Sequence, residues 1–202
     1  MKLVVVGGHT RNIGKTSVAA GLIAATPELG WTAMKITQYG HNICSADGCA
    51  CDCRPENPAH PFLITREERG DGGSDSSRFL AAGAAESYWV RAPQGRLREA
   101  MPAIERVLEG KGYAMLESNS VLRYLRPDLY VMVLDFQSAD FKDSAREQLE
   151  RADAFVLLET SRSGPAWAGV SAAAIENRPV FRARPPEYVS AAMRAFFLGA
   201  LR

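Results

Sequence analysis

"KLVVVGGHTRNIGKTSVAAGLIAAT", residues 2–26, decides how this chain folds. Its first part, "KLVVV" (2–6), is a short β-branched apolar run stopped by Gly7 and Gly8, the pattern of a buried strand. Its last part, "SVAAGLIAAT" (17–26), is Ala-rich and meets Pro27, the pattern of a helix and its end. Between them a turn closes on Gly14-Lys15-Thr16. A strand that feeds a turn into a helix start aims successive backbone N–H groups at one point and adds the positive end of the helix dipole. That is what an anion such as phosphate requires. Lys15 would neutralise phosphate charge, the Thr16 hydroxyl would bind magnesium, and Gly14 would let the backbone approach closely. The plainer alternative is an ordinary strand–turn–helix that spells GKT by chance. The usual phosphate-loop spacing puts a glycine five positions before Gly14, where His9 stands; Gly8 comes one place too early.

The same reading extends along the chain. "WTAMKIT" (31–37), "SYWVRA" (87–92), "YAMLE" (113–117), "LYVMVLD" (129–135), "AFVLLET" (154–160) and "PVFRA" (179–183) are expected strands. Helices are expected at "SDSSRFLAAGAAE" with Ser74 as a cap, at "GRLREAMPAIERVLEGKG" with Pro102 as a kink or late start, at "SAREQLERA", and at "PEYVSAAMRAFFLGAL". Strands alternating with helices imply an α/β fold with three layers, a mostly parallel sheet of about seven strands covered on both faces. Residues 39–73 hold Gly, Pro, Cys, Asp and Asn with no sustained period, and read as an irregular insertion in one domain spanning 1–202.

With 202 residues, 47% apolar and 23% charged, the composition is that of a globular protein. Lys plus Arg number 24 against 23 Asp plus Glu, a net charge of +1, so nothing in the charge points to nucleic acid or a membrane surface. No apolar run is long enough to span a bilayer, and the start is too short for a signal peptide; the expected compartment is cytoplasmic.

Phosphoryl chemistry needs a metal opposite the loop. Magnesium takes hard oxygen ligands and keeps several waters, so one or two carboxylates suffice. Glu117 ends an apolar strand at the carboxyl edge of the sheet, where ligands gather in such folds; a solvated strand end is the alternative. Asp135 also ends a strand and is a weaker candidate for water activation or structure. Lys35 either meets phosphate or substrate, or is solvated. Arg11 either meets the γ-phosphate or is a surface arginine.

All four cysteines, Cys44, Cys49, Cys51 and Cys53, fall within "CSADGCACDC". Packing cysteines would be scattered, so this clustering wants a chemical cause. Four thiolates suit zinc or an iron–sulfur cluster, and Cys-x-Cys-x-Cys crowding also suits a soft ion such as Cu(I) or a site shared between subunits. His41 and His60 flank the cluster and could replace a thiolate. A regulatory disulfide, reactive thiols or no role are the alternatives.

Gly8, five intervening residues, then Gly14-Lys15-Thr16 resembles the loop of dethiobiotin synthetase and cobyrinic acid diamide synthase, members of the P-loop NTPase class. "AMKITQYGH" (33–41), "GSDSSRFLAAGAAESYWVRA" (73–92) and "YAMLES" (113–118) are similar, in order, to segments of a sister family, molybdopterin-guanine dinucleotide biosynthesis protein B. Protein B has a shorter loop, several histidines after its Lys and a Gly after its Glu; here Ile36, Gln38 and Ser118 stand instead. The resemblance implies nucleotide contacts at Gly8, Asn12, Ile13, Gly14, Lys15, Thr16, Ser17 and Lys35. It implies magnesium at Thr16, Asp75 and Glu117, with Lys15, Glu117 and Asp75 as the catalytic set; a helix-cap role is the alternative for Asp75. It also implies a homodimer. Protein B relatives bind GTP and dethiobiotin-type relatives bind ATP; Glu159-Thr160 stand where many GTPases carry Asn-Lys-x-Asp, so the base stays open.

Three functions fit. One is a magnesium-dependent ATPase or GTPase that assists cofactor or metal-centre assembly with a protein partner. Another is an ATP-dependent small-molecule ligase of dethiobiotin-synthetase type, with a substrate pocket built by residues 38–73. The third is a non-catalytic metal or redox binding module.

Overall fold

The computed structural model describes residues 1–39, 61–159, 162, 164–170, 175 and 177–202. The cysteine cluster, with His41 and His60, lies outside the described residues.

Eight strands form one sheet: β1 (Lys2–Gly8), β2 (Thr32–Tyr39), β3 (Leu63–Arg66), β4 (Glu86–Pro93), β5 (Tyr113–Glu117), β6 (Leu129–Asp135), β7 (Ala154–Leu158) and β8 (Val180–Ala183). Their spatial order is β3-β4-β2-β5-β1-β6-β7-β8. Every pairing is parallel except β3 with β4. Among the described residues, the helices are α1 (Lys15–Ala25), α2 (Ser77–Ala81), α3 (Leu97–Leu108), α4 (Asp143–Arg146) and α5 (Ala191–Ala200).

The continuous apolar run of β1 follows from burial on both faces. Leu3 and Val5 enter the core that α3 closes with Leu97, Ala100 and Ile104. Val4 and Val6 point the other way, into the core built by Val18, Leu22 and Ile23 of α1 and Met193 and Phe197 of α5. Burying each such side chain contributes about 1.5–3 kcal/mol. Pro102 lies inside α3, so the helix starts before it rather than after. Ser190 caps α5, its hydroxyl accepting from the Met193 N–H.

One expectation is corrected. Residues 39–73 are not irregular throughout, because Leu63–Arg66 pair antiparallel with β4 and make an eighth, edge strand. Phe62 and Ile64 pack against the core beside Tyr88, which draws this stretch onto the sheet. Among the described residues, no helix is long and apolar enough to cross a membrane.

Candidate phosphate-binding site

Register brings the site together. β5 lies between β2 and β1. Glu117 pairs with Val6 on one side and with Lys35 on the other. Side chains alternate across a sheet, so Glu117 and Lys35 share the face of Val6, the one covered by α1. The first turn of α1 therefore sits over both of them.

Beyond Val6, β1 parts from β5 and stays paired with β6 alone through Gly8. Gly7 is required there: a Cβ would lie 2.1 Å from Oδ1 of Asn119. Asn119 also clamps the next residue, accepting from the Gly8 N–H at 2.9 Å and donating to the Gly8 carbonyl at 2.7 Å. Asn12 and Gly14 adopt left-handed φ values of 54° and 77°, which curl the turn before α1 begins. The N–H groups of a helix's first turn have no intrahelical acceptor and face whatever lies at its head. The Lys15 ammonium folds back over the turn and donates to the Thr10 carbonyl at 2.6 Å. Burial pushes Lys15 down to about 8, against the attraction of Glu117.

The Thr16 hydroxyl donates to Oε2 of Glu117 at 2.8 Å. The Lys35 ammonium lies 2.5 Å from Oε1 of Glu117, 2.9 Å from Oδ2 of Asp75 and 3.2 Å from the Thr16 hydroxyl. Burial alone would lower Lys35, yet the two carboxylates outweigh it and hold it above its ordinary value. Burial likewise opposes ionisation of Asp75, but the Lys35 charge and hydrogen bond, with Arg78, hold Asp75 below the usual carboxylate range. Arg78 reaches Asp75 at 3.6 Å and donates to the Ser17 hydroxyl at 2.8 Å. The reading of Lys35 as solvated is corrected, since its side chain is only 17% exposed. Asp75 does not cap α2; the Ser74 hydroxyl accepts the Ser77 N–H instead.

One cavity of about 1260 Å³ connects these groups. Gly8, Asn12, Ile13, Gly14, Lys15, Thr16, Ser17, Lys35, Asp75 and Glu117 all line it, as does Arg11. Thr37, Trp89, Gln94 and Arg123 line it too. Asp135 stands apart from this wall, and its carboxylate accepts the Gln137 N–H at 2.8 Å.

The donor set fits magnesium. A threonine hydroxyl and two carboxylates are hard oxygens, and the three already surround a compact positive charge, the Lys35 ammonium. Among the described residues no group of three or more His, Cys, Asp or Glu could hold a metal by itself. An ion here would need oxygens from a ligand or water, as magnesium at phosphates does.

Sequence reasoning missed Asn119, His9 and the Thr10–Asp140 contact. His9 is fully buried, and Thr10 donates its hydroxyl to the Asp140 carboxylate. The one signal for Asn119 was its place two residues after Glu117.

No protein-family model matches the chain, and no curated protein matches it. Solved structures do. HypB from Helicobacter pylori, in complex with nickel, is 12% identical, with a TM-score of 0.50 over 98% of this chain and 86% of its own. The signal recognition particle 54 kDa protein from Aeropyrum pernix, in complex with GDP, is 13% identical, with a TM-score of 0.50 over 99% and 46%. The fold is that of the P-loop NTPases. LpxK from Aquifex aeolicus, in complex with ATP, is 17% identical with a TM-score of 0.48 over 90% and 53%. The chain thus spans about half the length of LpxK and of the signal recognition particle protein. At these identities the likeness concerns the P-loop fold; the resemblance to molybdopterin-guanine dinucleotide biosynthesis protein B rests on the sequence segments.

Proposed function

We propose that this P-loop protein is a magnesium-dependent nucleoside triphosphate hydrolase that serves as an accessory factor in the assembly of a molybdopterin-type cofactor or a metal centre. The observation that carries the reading is the cluster of Thr16, Glu117, Asp75 and Lys35 under the first turn of α1, beside the Gly8–Thr16 turn.

The turn's N–H groups and the Lys15 ammonium bind the phosphates. Thr16, Glu117 and Asp75 hold the magnesium. The ion, once bound, neutralises charge building on the phosphate oxygens. Lys35, released from the carboxylates, would offer its ammonium to the phosphates. Glu117 and Asp75 orient water for attack. Burial of Glu117, 2% exposed, strengthens each of these contacts. The order of the matching segments favours the cofactor-assembly role, and the clustered Cys44, Cys49, Cys51 and Cys53 favour a thiolate zinc or iron–sulfur site alongside it. A cytoplasmic homodimer accompanies this reading.

A second reading, an ATP-dependent small-molecule ligase, is favoured by the cavity's size. At about 1260 Å³ it exceeds the roughly 300–1,000 Å³ usual for one small ligand, and its lining extends beyond the phosphate loop to Trp89, Gln94 and Arg123, which favours room for a second substrate. Turnover of purified protein with magnesium and ATP or GTP tests both. Slow hydrolysis without an added metabolite supports the accessory factor; turnover that depends on one carboxylate metabolite supports the ligase. Metal analysis of the same preparation tests the cysteine site.

A further inference from the structure

His9 occupies the position where the common phosphate loop has glycine, yet its ring does not enter the anion's path. It turns into the core on the far side of the loop. A backbone N–H can only donate, so Nε2, 3.0 Å from the Asp135 N–H, is the bare nitrogen. Nδ1 then carries the proton and donates to the Asp140 carbonyl at 2.8 Å. The ring packs against Trp167 and Phe141, with centroids 4.7 and 5.2 Å away. The His9 carbonyl accepts the Lys142 N–H at 2.9 Å, and its own N–H donates to the Val133 carbonyl at 3.2 Å.

We propose that His9 is the positioning residue of the phosphate loop. Its neutral imidazole, spanning the Asp135 amide and the Asp140 carbonyl, draws the loop's extra residue out of the way and holds Gly8–Thr16 in its anion-binding curve. This rests on the phosphate-site reading above. The loop after β6 is thereby tied to the nucleotide site, because Asp140 also accepts the Thr10 hydroxyl, and the Thr10 carbonyl accepts Lys15.

Protonation breaks the arrangement, since a proton on Nε2 would face the Asp135 N–H donor to donor. The charged groups around the ring are Asp135 at the end of β6, Asp140 and Lys142 after it, Lys15 on α1, and Arg146, which stacks on Phe141. Burial dominates and pushes His9 below its ordinary 6.5, although Asp140 and Asp135 pull the other way. The folded protein therefore favours the neutral ring, and the positioning is lost only as pH falls below that value.

The test compares wild type with His9→Phe and His9→Gln, measuring magnesium–ATP and magnesium–GTP affinity by calorimetry at pH 7.5 and in steps down to the lowest pH at which wild type stays folded. His9→Phe keeps ring and volume but neither hydrogen bond; His9→Gln keeps one donor and one acceptor. We expect His9→Phe to melt cooperatively and bind roughly tenfold more weakly or worse at pH 7.5, with His9→Gln in between. Acidification should weaken wild type more than either variant, which removes the ligand's own titration from the comparison. Equal affinity of His9→Phe and wild type, or the same pH dependence in both, overturns the proposal. Should His9→Phe not fold, the pH comparison of wild type with His9→Gln decides alone. If wild type binds no nucleotide, the phosphate-site reading falls and this one with it; if wild type binds and the variants match it, only His9 falls.

Discussion

The Lys35 ammonium and the Glu117 carboxylate are register partners on adjacent strands, 2.5 Å apart and shielded from water. Removing one partner of such a pair leaves the other charged without compensation, typically at about 3–5 kcal/mol when both are buried. Asp75 remains 2.9 Å from Lys35 and softens the loss. Glu117→Gln should therefore cost about 1–3 kcal/mol, read as a lower midpoint in denaturant melts. The double variant Lys35→Met with Glu117→Gln should lose less than the sum of the singles. Strict additivity would show that the pair is not coupled.

Lys35 and a divalent cation want the same oxygens. In Lys35→Ala, Glu117 and Asp75 lose their shared ammonium, and magnesium becomes the best remaining counter-charge. Magnesium chloride alone should raise the melting temperature of this variant more than that of wild type, at matched ionic strength. An equal rise in both would place the metal elsewhere.

Lys15 gives the site a pH signature. Burial holds it at about 8, so the free protein loses this charge as pH rises through that value. Phosphate binding favours the charged form. Above pH 8 binding must take up a proton, and affinity should fall between pH 7.5 and 9.5. Calorimetry in buffers of different ionisation enthalpy reads the uptake directly. Flat affinity across this window would remove Lys15 from the phosphates.

Asn119 holds both backbone groups of Gly8. Asn119→Ala leaves them unpaired, each at a cost of about 1–3 kcal/mol where water is excluded. Lower stability and weaker nucleotide binding should appear together. Asn119→Asp keeps the acceptor, loses the donor and adds negative charge beside the phosphates. It should hurt binding more than stability in the same two assays.

Much of the fold was legible because β1, β5 and β6 are buried on both faces, so each reads as an unbroken apolar run. The short edge strand Leu63–Arg66 was not, because four residues of mixed polarity carry too little periodicity. For the site, Lys15 and Thr16 announce themselves by spelling, and Glu117 by ending an apolar strand. The placement of Lys35 between two carboxylates depends on β2 and β5 being neighbours, although α2, α3 and two strands separate them in sequence. His9 and Asn119 act through backbone atoms of distant residues, a role with no local sequence signature.

Gly8–Thr16 is the stretch that must wrap around an anion at the head of α1. Differential scanning fluorimetry of wild type and Lys15→Ala with ATP, GTP, ADP and GDP, each with and without magnesium, tests it. A nucleoside triphosphate with magnesium should raise the wild-type midpoint by several degrees, as saturation near 100 times Kd contributes about 2.7 kcal/mol, and Lys15→Ala should lose most of that rise. An unchanged wild-type midpoint with every nucleotide, or an equal rise in Lys15→Ala, would contradict it.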